Sequence, residues 1–395
     1  MEDGGISPKK KHILMVHNFY QIGGGEHTVF ENEKRLLKEH GYHVEEYTRD
    51  NAEINHSLRK KMLLPLTTIF SIKTYRDIKR IICENNIDLV HCHNTFPLIS
   101  PSVYYAAHKC GVPVIQTIHN FRFICANGVL SRDGKPCEEC LEKGLNCALS
   151  HKCYRESWLQ TFVLINMLRI HRLIGTYRKI RYIFLTDFNR KKFRLLLGDW
   201  LDCQFTKPNF EYVEFSSQKS DRGCSFVYAG RLERDKGIDF LLNAWKEEEK
   251  RDLYIFGDGA LQKDVAEASR NNSKIHFMGF QPKKIVMEYL QKSKAMIFAS
   301  DLYEGFPMTI IESFAMGTPV VCSDIGNGAD IVCKHNAGVV YTARNIDSLR
   351  DALKRVEERF DEYSKRAREA YEDNYTPENN YKQLITIYEE VINEQ

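Results

Sequence analysis

The chain has 395 residues, enough for two domains with separate cores. An apolar fraction of 43% and a charged fraction of 28% are ordinary for a folded protein, and a formal net charge of +3 gives no basis for bulk nucleic-acid binding. No apolar run approaches the ~20 residues needed to cross a bilayer. The first eleven residues are short and polar, without the apolar stretch of a secretion signal, so a cytoplasmic setting is expected.

Residues 12–17 read as a strand. It opens into a loop holding Gly23, Gly24 and Gly25, and a helix follows to about His40, closed by Gly41 before a second strand at 44–47. Adjacent glycines at a helix start let a ligand approach bare backbone amides, although glycine clusters also mark plain tight turns. Their spacing is not that of the dinucleotide fingerprint. Residues 52–86 are charged and helical, with a break expected at Pro65. Strands at 89–91 and 112–117 then bring His93, Asn94 and His119 to the C-terminal ends of neighbouring strands, where open α/β sheets bind ligands.

Residues 121–153 form a loop-rich excursion with Cys125, Cys137, Cys140, Cys147 and Cys153. Cys137-x2-Cys140 is the tight half of a zinc-ligand pattern, so Cys137, Cys140, Cys147 and Cys153 are either ligands of a structural zinc or reduced thiols of a lid. From 157 to 180 the pattern is helical and apolar, and basic residues crowd the segment through Arg194. It reads equally as a core helix beside a solvated basic one, or as a face for an anionic membrane surface. The first domain is expected to span 11–209, with 214–223 as a linker.

The second half restarts with a strand at 225–230. Arg231 and Lys236 flank the following loop, placed to bind a diphosphate as a fork and a point charge, with Gly237 before a helix. A strand at 253–256 ends in Gly257-Asp258-Gly259. This is again not a dinucleotide fingerprint, because position 262 is Gln. A strand at 275–278 leads into Gly279-Phe280-Gln281. The apolar run 295–299 is a buried strand, and the loop after it carries Glu304, Gly305, Phe306 and Pro307. A helix starting near Met308 or Thr309 ends at Gly317, so Glu312 lies about one turn inside it. Glu304 and Glu312 can face one ligand, with backbone amides between them for a phosphate. The second domain spans 210–377, and 378–395 is a last helix.

Glu-Gly-Phe-Pro-x-x-x-x-Glu from Glu304 to Glu312, followed by Ala-x-Gly-x-Pro-Val-Val, resembles the E-x7-E motif of retaining nucleotide-sugar glycosyltransferases of the large GT-B family, family 4 (glycosyl transferases group 1). Gly230-Arg231 through Lys236-Gly237 is similar to that family's diphosphate motif, and the glycine loop to its Gly-Gly loop. The run around His93, Asn94 and His119 is similar to a subset that builds bacterial surface polysaccharides. The resemblance implies two Rossmann-like α/β domains facing a central cleft, with the last helix crossing back to the first domain. It implies a glycosyltransferase (EC 2.4) that moves a sugar from a UDP- or GDP-linked donor to a glycan or lipid-linked acceptor, at the inner face of the membrane when the acceptor is lipid-linked. His119 would address the sugar or leaving group, Glu304 the sugar hydroxyls and Glu312 the ribose. Gly24, Gly25, Gly257, Phe280, Gly305, Phe306, Pro307, Met308 and Thr309 would surround the donor, with His93 and Asn94 at the acceptor. Arg231 and Lys236 would neutralise the leaving group. No Asp-x-Asp pair for metal chelation occurs in the chain, so no catalytic metal is expected. The rival readings are a nucleotide-sugar epimerase and a non-catalytic nucleotide-sugar-binding protein.

Overall fold

The computed structural model describes residues 11–21, 24–56, 58–213 and 222–394. Gly23 and most of the expected 214–223 linker lie outside the described residues. The chain divides into two compact units. The first comprises residues 1–119, 143–207 and 381–395, and the second comprises 120–142 and 208–380.

The strands of the first unit are short; the inner ones are buried on both faces, as parallel strands covered by helices must be, and the two at the edges are largely exposed. The strands are β1 (His12–Phe19), β2 (His43–Asp50), β3 (Leu89–Asn94), β4 (Val114–Ile118), β5 (Arg181–Phe184) and β6 (Phe205–Thr206). They pair in parallel in the order β2-β1-β3-β4-β5-β6. The sheet order reverses between β1 and β3, so the loops leaving those two strands diverge and leave a crevice at their C-terminal ends. Helix Gly25–Glu39 and the C-terminal helix Pro377–Asn393 both supply this core. Phe30, Leu37, Leu384, Ile387 and Val391 pack with Ile13, Leu89 and Ile115.

Pro65 does not break its helix: Leu58–Ile69 runs through it. The chain turns only at Phe70–Ser71, where the Ser71 hydroxyl accepts from Thr74 N–H at 3.2 Å and caps the next helix, Ile72–Asn85. A capping serine supplies the acceptor that the open first turn needs, and so decides where the new helix begins.

The second unit repeats the plan. Its strands are β7 (Ser225–Ala229), β8 (Asp252–Phe256), β9 (Ile275–Gly279), β10 (Ala295–Phe298), β11 (Val320–Ser323) and β12 (Gly338–Tyr341). They are parallel, in the order β9-β8-β7-β10-β11-β12. This is the doubly wound order with its switch point between β7 and β10. Buried side chains form one core on each face, around Trp245 and Leu353 on one side and Phe314 and Tyr371 on the other.

The Cys-rich excursion was expected within the first domain, yet 120–142 belongs to the second unit and 143–153 to the first. Its strands Ser131–Arg132 and Lys135–Pro136 form a hairpin over Asp133-Gly134, both with positive φ (53° and 73°), the Asp-Gly choice for a tight two-residue turn. That hairpin lines a cavity with residues of the second unit, and nothing in its sequence announced this attachment.

Candidate functional site

The second unit's switch point is built from the loops that follow β7 and β10. After β7 the chain passes Arg231 and a short 3-10 turn, Arg234–Lys236, then Gly237 at φ 74°. A Cβ at Gly237 would stand 2.0 Å from the Ala299 carbonyl oxygen, so only glycine lets this loop lie against the one after β10. Gly257 obeys the same constraint after β8: its φ is 132° and a Cβ would sit 1.9 Å from Gly230 O. The Tyr228 hydroxyl donates to the Arg231 carbonyl at 2.9 Å and ties the loop to its own strand.

This close approach brings Lys236 onto Glu304, with Nζ on Oε1. The same oxygen accepts from Ser300 Oγ at 2.8 Å. Asn327 donates its amide to the carbonyls of Glu304 and Gly305, the latter at 3.2 Å, and so holds the Glu304 loop from below. Lys236 and Glu304 are mostly covered but not sealed, at 18% and 22% side-chain exposure. Helix Met308–Ala315 then starts after Pro307 with no side chain capping it and no acid in its first turn, which leaves its positive end available to an anion.

Glu312 sits one turn into that helix. Burial pushes its carboxyl above the usual range, against the pull of Lys283 at 2.9 Å. Lys283 also reaches Glu211 at 2.6 Å, and its ammonium is held above the ordinary lysine range because Glu312 and Glu211 outweigh the effect of burial. One cation thus serves two carboxylates, and 43% of its side chain is exposed. Phe280, in the turn after β9, is 77% exposed. Arg231 is exposed too, and it lines a cavity of about 820 Å³ with Arg344, Asp301 and the Ser131–Pro136 hairpin.

In the first unit, Gly24 is the residue before helix Gly25–Glu39, and a Cβ there would meet nothing within 4 Å. His119 follows β4 and is half-buried. His93 and Asn94, expected at the acceptor, are both buried at 3% and 6% exposure. The Asn94 amide donates to Asn18 O at 2.7 Å and Glu26 Oε1 at 3.2 Å, and its oxygen accepts from Phe96 N–H at 3.0 Å. Its polar atoms are occupied in shaping the crevice wall.

Cys137 and Cys140 fall in the second unit, Cys147 and Cys153 in the first. Among the described residues, the side chains whose ligand atoms do converge are Glu33, His91 and His93.

The sequence reading missed Lys283, whose partners lie far off in the chain, Asn327, which donates to carbonyl oxygens, and Ser300, whose partner Glu304 lies only 4 positions on. It also missed Glu33, for which a signal existed. Val29, Phe30, Glu33, Leu36 and Leu37 are the buried positions of one amphipathic helix, and an acid in that stripe needs a buried partner.

Comparison with known proteins adds what geometry cannot. The model for glycosyl transferases group 1 matches residues 210–373, and that for Glycosyltransferase Family 4 matches 22–149. An uncharacterized glycosyltransferase of Methanocaldococcus jannaschii is 24% identical over 324 residues, 78% of this chain and 76% of that protein. A lipopolysaccharide 1,6-galactosyltransferase of Salmonella typhimurium is 30% identical over 145 residues, 34% of this chain and 40% of its own. The crystal structure of Anabaena HepE in complex with UDP superposes with a TM-score of 0.63 at 15% identity, over 96% of this chain and all of that one, which is a likeness of fold.

Proposed function

Because this chain belongs to the group 1, family 4 glycosyltransferases, with a GT-B-type pair of Rossmann-like units, we propose that its donor is a nucleoside diphosphate sugar and its acceptor a hydroxyl of a glycan or lipid-linked glycan in surface polysaccharide synthesis. The observation that carries this reading is the mostly covered but unsealed Lys236–Glu304 pair at the switch point of the second sheet. A lysine there can leave its carboxylate for a phosphate at small cost. The freed Glu304 can then accept from the hydroxyls of a sugar. HepE was solved with UDP, in agreement with a nucleotide of that class.

In this mechanism the bond between the anomeric carbon and the diphosphate oxygen breaks as the acceptor hydroxyl attacks. Negative charge gathers on the leaving diphosphate. Lys236, Arg231 and the open end of helix Met308–Ala315 lie in place to stabilise it, a form of catalysis by preorganised charge. Glu312 is assigned to the ribose hydroxyls, which would replace Lys283 as its partner. His119 is assigned to a substrate hydroxyl. With no carboxylate assigned as a nucleophile, front-side substitution with retention is the proposed course, the departing phosphate taking the proton of the incoming hydroxyl.

A specific observation favours contact with a lipid surface. On helix Trp158–Leu173, Trp158, Leu159, Phe162 and Leu173 are 52%, 62%, 41% and 88% exposed, on an element that also bears Arg169 and Arg172. Among the described residues no helix is long and apolar enough to cross a membrane.

The test is transfer and hydrolysis measured against a panel of UDP- and GDP-sugars, with product anomers assigned by NMR. Turnover of one donor with retained configuration is expected. No turnover and no nucleotide binding across the panel would remove the reading.

A further inference from the structure

The first unit buries a charged assembly that sugar transfer, as set out above, does not use. Glu33 and Lys207 pair at 2.6 Å with both side chains at 0% exposure. Burial pushes the Glu33 carboxyl up, but Lys207 and the neighbouring histidines outweigh it and hold the group well below the usual carboxylate range. Glu33 is therefore ionised. Its second oxygen, Oε2, lies 3.3 Å from His93 Nε2, a close polar contact between two buried atoms that otherwise make no hydrogen bond. His93 Nδ1 in turn lies 3.0 Å from His119 Nε2, with the two rings stacked 5.2 Å apart.

The convergence of Glu33, His91 and His93 has the outline of a small metal site. Lys207 already supplies the cation there. Both nitrogens of His91 are spent, Nδ1 on the Tyr388 hydroxyl and Nε2 on Thr117 Oγ1, each at 2.7 Å. A metal ion would have to displace all three partners, so the metal reading yields to a hydrogen-bonded relay.

We propose that the buried Lys207–Glu33 pair acts through His93 to hold His119 in one tautomer, with Nδ1 left as an acceptor for a substrate hydroxyl. The chain of reasoning is one of donors and acceptors. An ionised carboxylate only accepts, so His93 must carry its proton on Nε2. Lys207 already balances the Glu33 charge, so the scheme takes His93 with that one ring proton and a lone pair on Nδ1. His119 must then donate from Nε2, and its Nδ1 is the remaining acceptor. His17, stacked on Phe30 4.9 Å away, and His91 face the same assembly. Burial keeps both well below the ordinary histidine range, so neither adds a positive charge that would reverse the order. Glu33 and Lys207 are positioning residues in this scheme, and so is His93. The inference rests on the proposal that His119 touches a substrate hydroxyl.

Removing one member of the buried pair strands the other charge, so the informative variant removes both. Glu33→Gln/Lys207→Met keeps shape and net charge. The protein is labelled with 15N-histidine, and His119 is read from two-bond 15N–1H correlation spectra, assigned by its loss in His119→Asn. In the wild type, His119 carries its proton on Nε2. In the double variant, and in His93→Leu, that preference is lost and kcat falls about 10–100-fold, the range seen when partners that orient a reacting group are removed. Donor KM and UDP affinity stay within twofold. An unaltered His119 tautomer in these variants, or kcat within twofold of wild type, overturns the proposal. Failure of the wild type to bind UDP would instead strike the donor reading, and leaves the tautomer measurement to be made independently.

Discussion

Lys207–Glu33 in the first unit and Lys236–Glu304 in the second are the same chemical pair in two settings. The first has 0% of either side chain exposed, and Glu33 has further partners behind it. The second keeps 18% and 22% in contact with solvent. A fully buried ion pair cannot exchange partners without stranding a charge in a medium of low polarity, so it serves as a fixed element. A pair that keeps some contact with solvent loses less when one member turns to a new partner, so it can serve as a site. The contrast predicts that removing one member of the first pair destabilises the protein strongly, whereas removing one member of the second spares the fold and stops the chemistry.

The largest effect should follow Lys207→Ala. An unpaired Glu33 at 0% exposure should cost about 3–5 kcal/mol of stability, read as a shift in the urea midpoint. A change below about 1 kcal/mol would mean that the pair is not sealed. Lys236→Ala should lower transfer on the order of 100–1000-fold, with the unfolding midpoint close to wild type. A large loss of stability in that variant would erase the contrast. Glu312→Ala should weaken UDP binding about tenfold by calorimetry, a loss of about one hydrogen bond to a charged group. Unchanged affinity would remove the ribose role.

The smallest effect is a difference in acid sensitivity. In the first unit the pKa values of His17, His91, His108, His119 and His171 are all lowered, chiefly by burial, that of His17 to about 3. In the second unit His335 is lowered to about 4. A histidine held neutral in the folded state takes up a proton only on unfolding as pH falls through its ordinary value. Stability is therefore present above pH 6.5 and lost below it, down to the folded pKa. Between pH 7.5 and 6.5 each such histidine should cost roughly 0.4 kcal/mol. Below the ordinary carboxylate range Glu33 acts in the same direction, since its folded pKa is depressed. Hydrogen exchange should show first-unit peptides losing protection ahead of second-unit peptides on acidification. Equal loss in both would contradict the assignment.

Those two pairs also mark what could be read in the sequence. Lys236 and Glu304 stand in short motifs, Arg231 to Gly237 and Glu304 to Glu312, whose spacing alone places them on loops after strands. The alternation of apolar runs with helical stretches gave both sheets, because parallel strands are buried on both faces. Lys207 and Glu33 are 174 positions apart, and no local pattern joins them. Only Glu33's place on the buried stripe of its helix hinted at a partner. Lys283 escaped for a similar reason, since Glu211 and Glu312 approach it from separate stretches of chain. The 120–142 excursion packs with the second unit through a polar hairpin, and polar loops carry no periodicity from which attachment could be inferred.

The most direct measurement is a crystal structure with a non-hydrolysable UDP-sugar. The account predicts that Lys236 Nζ leaves Glu304 and lies within about 3 Å of a diphosphate oxygen, with Glu304 on the sugar hydroxyls and Lys207–Glu33 undisturbed. A diphosphate bound elsewhere, or Lys236 still on Glu304 with the ligand in place, would contradict it.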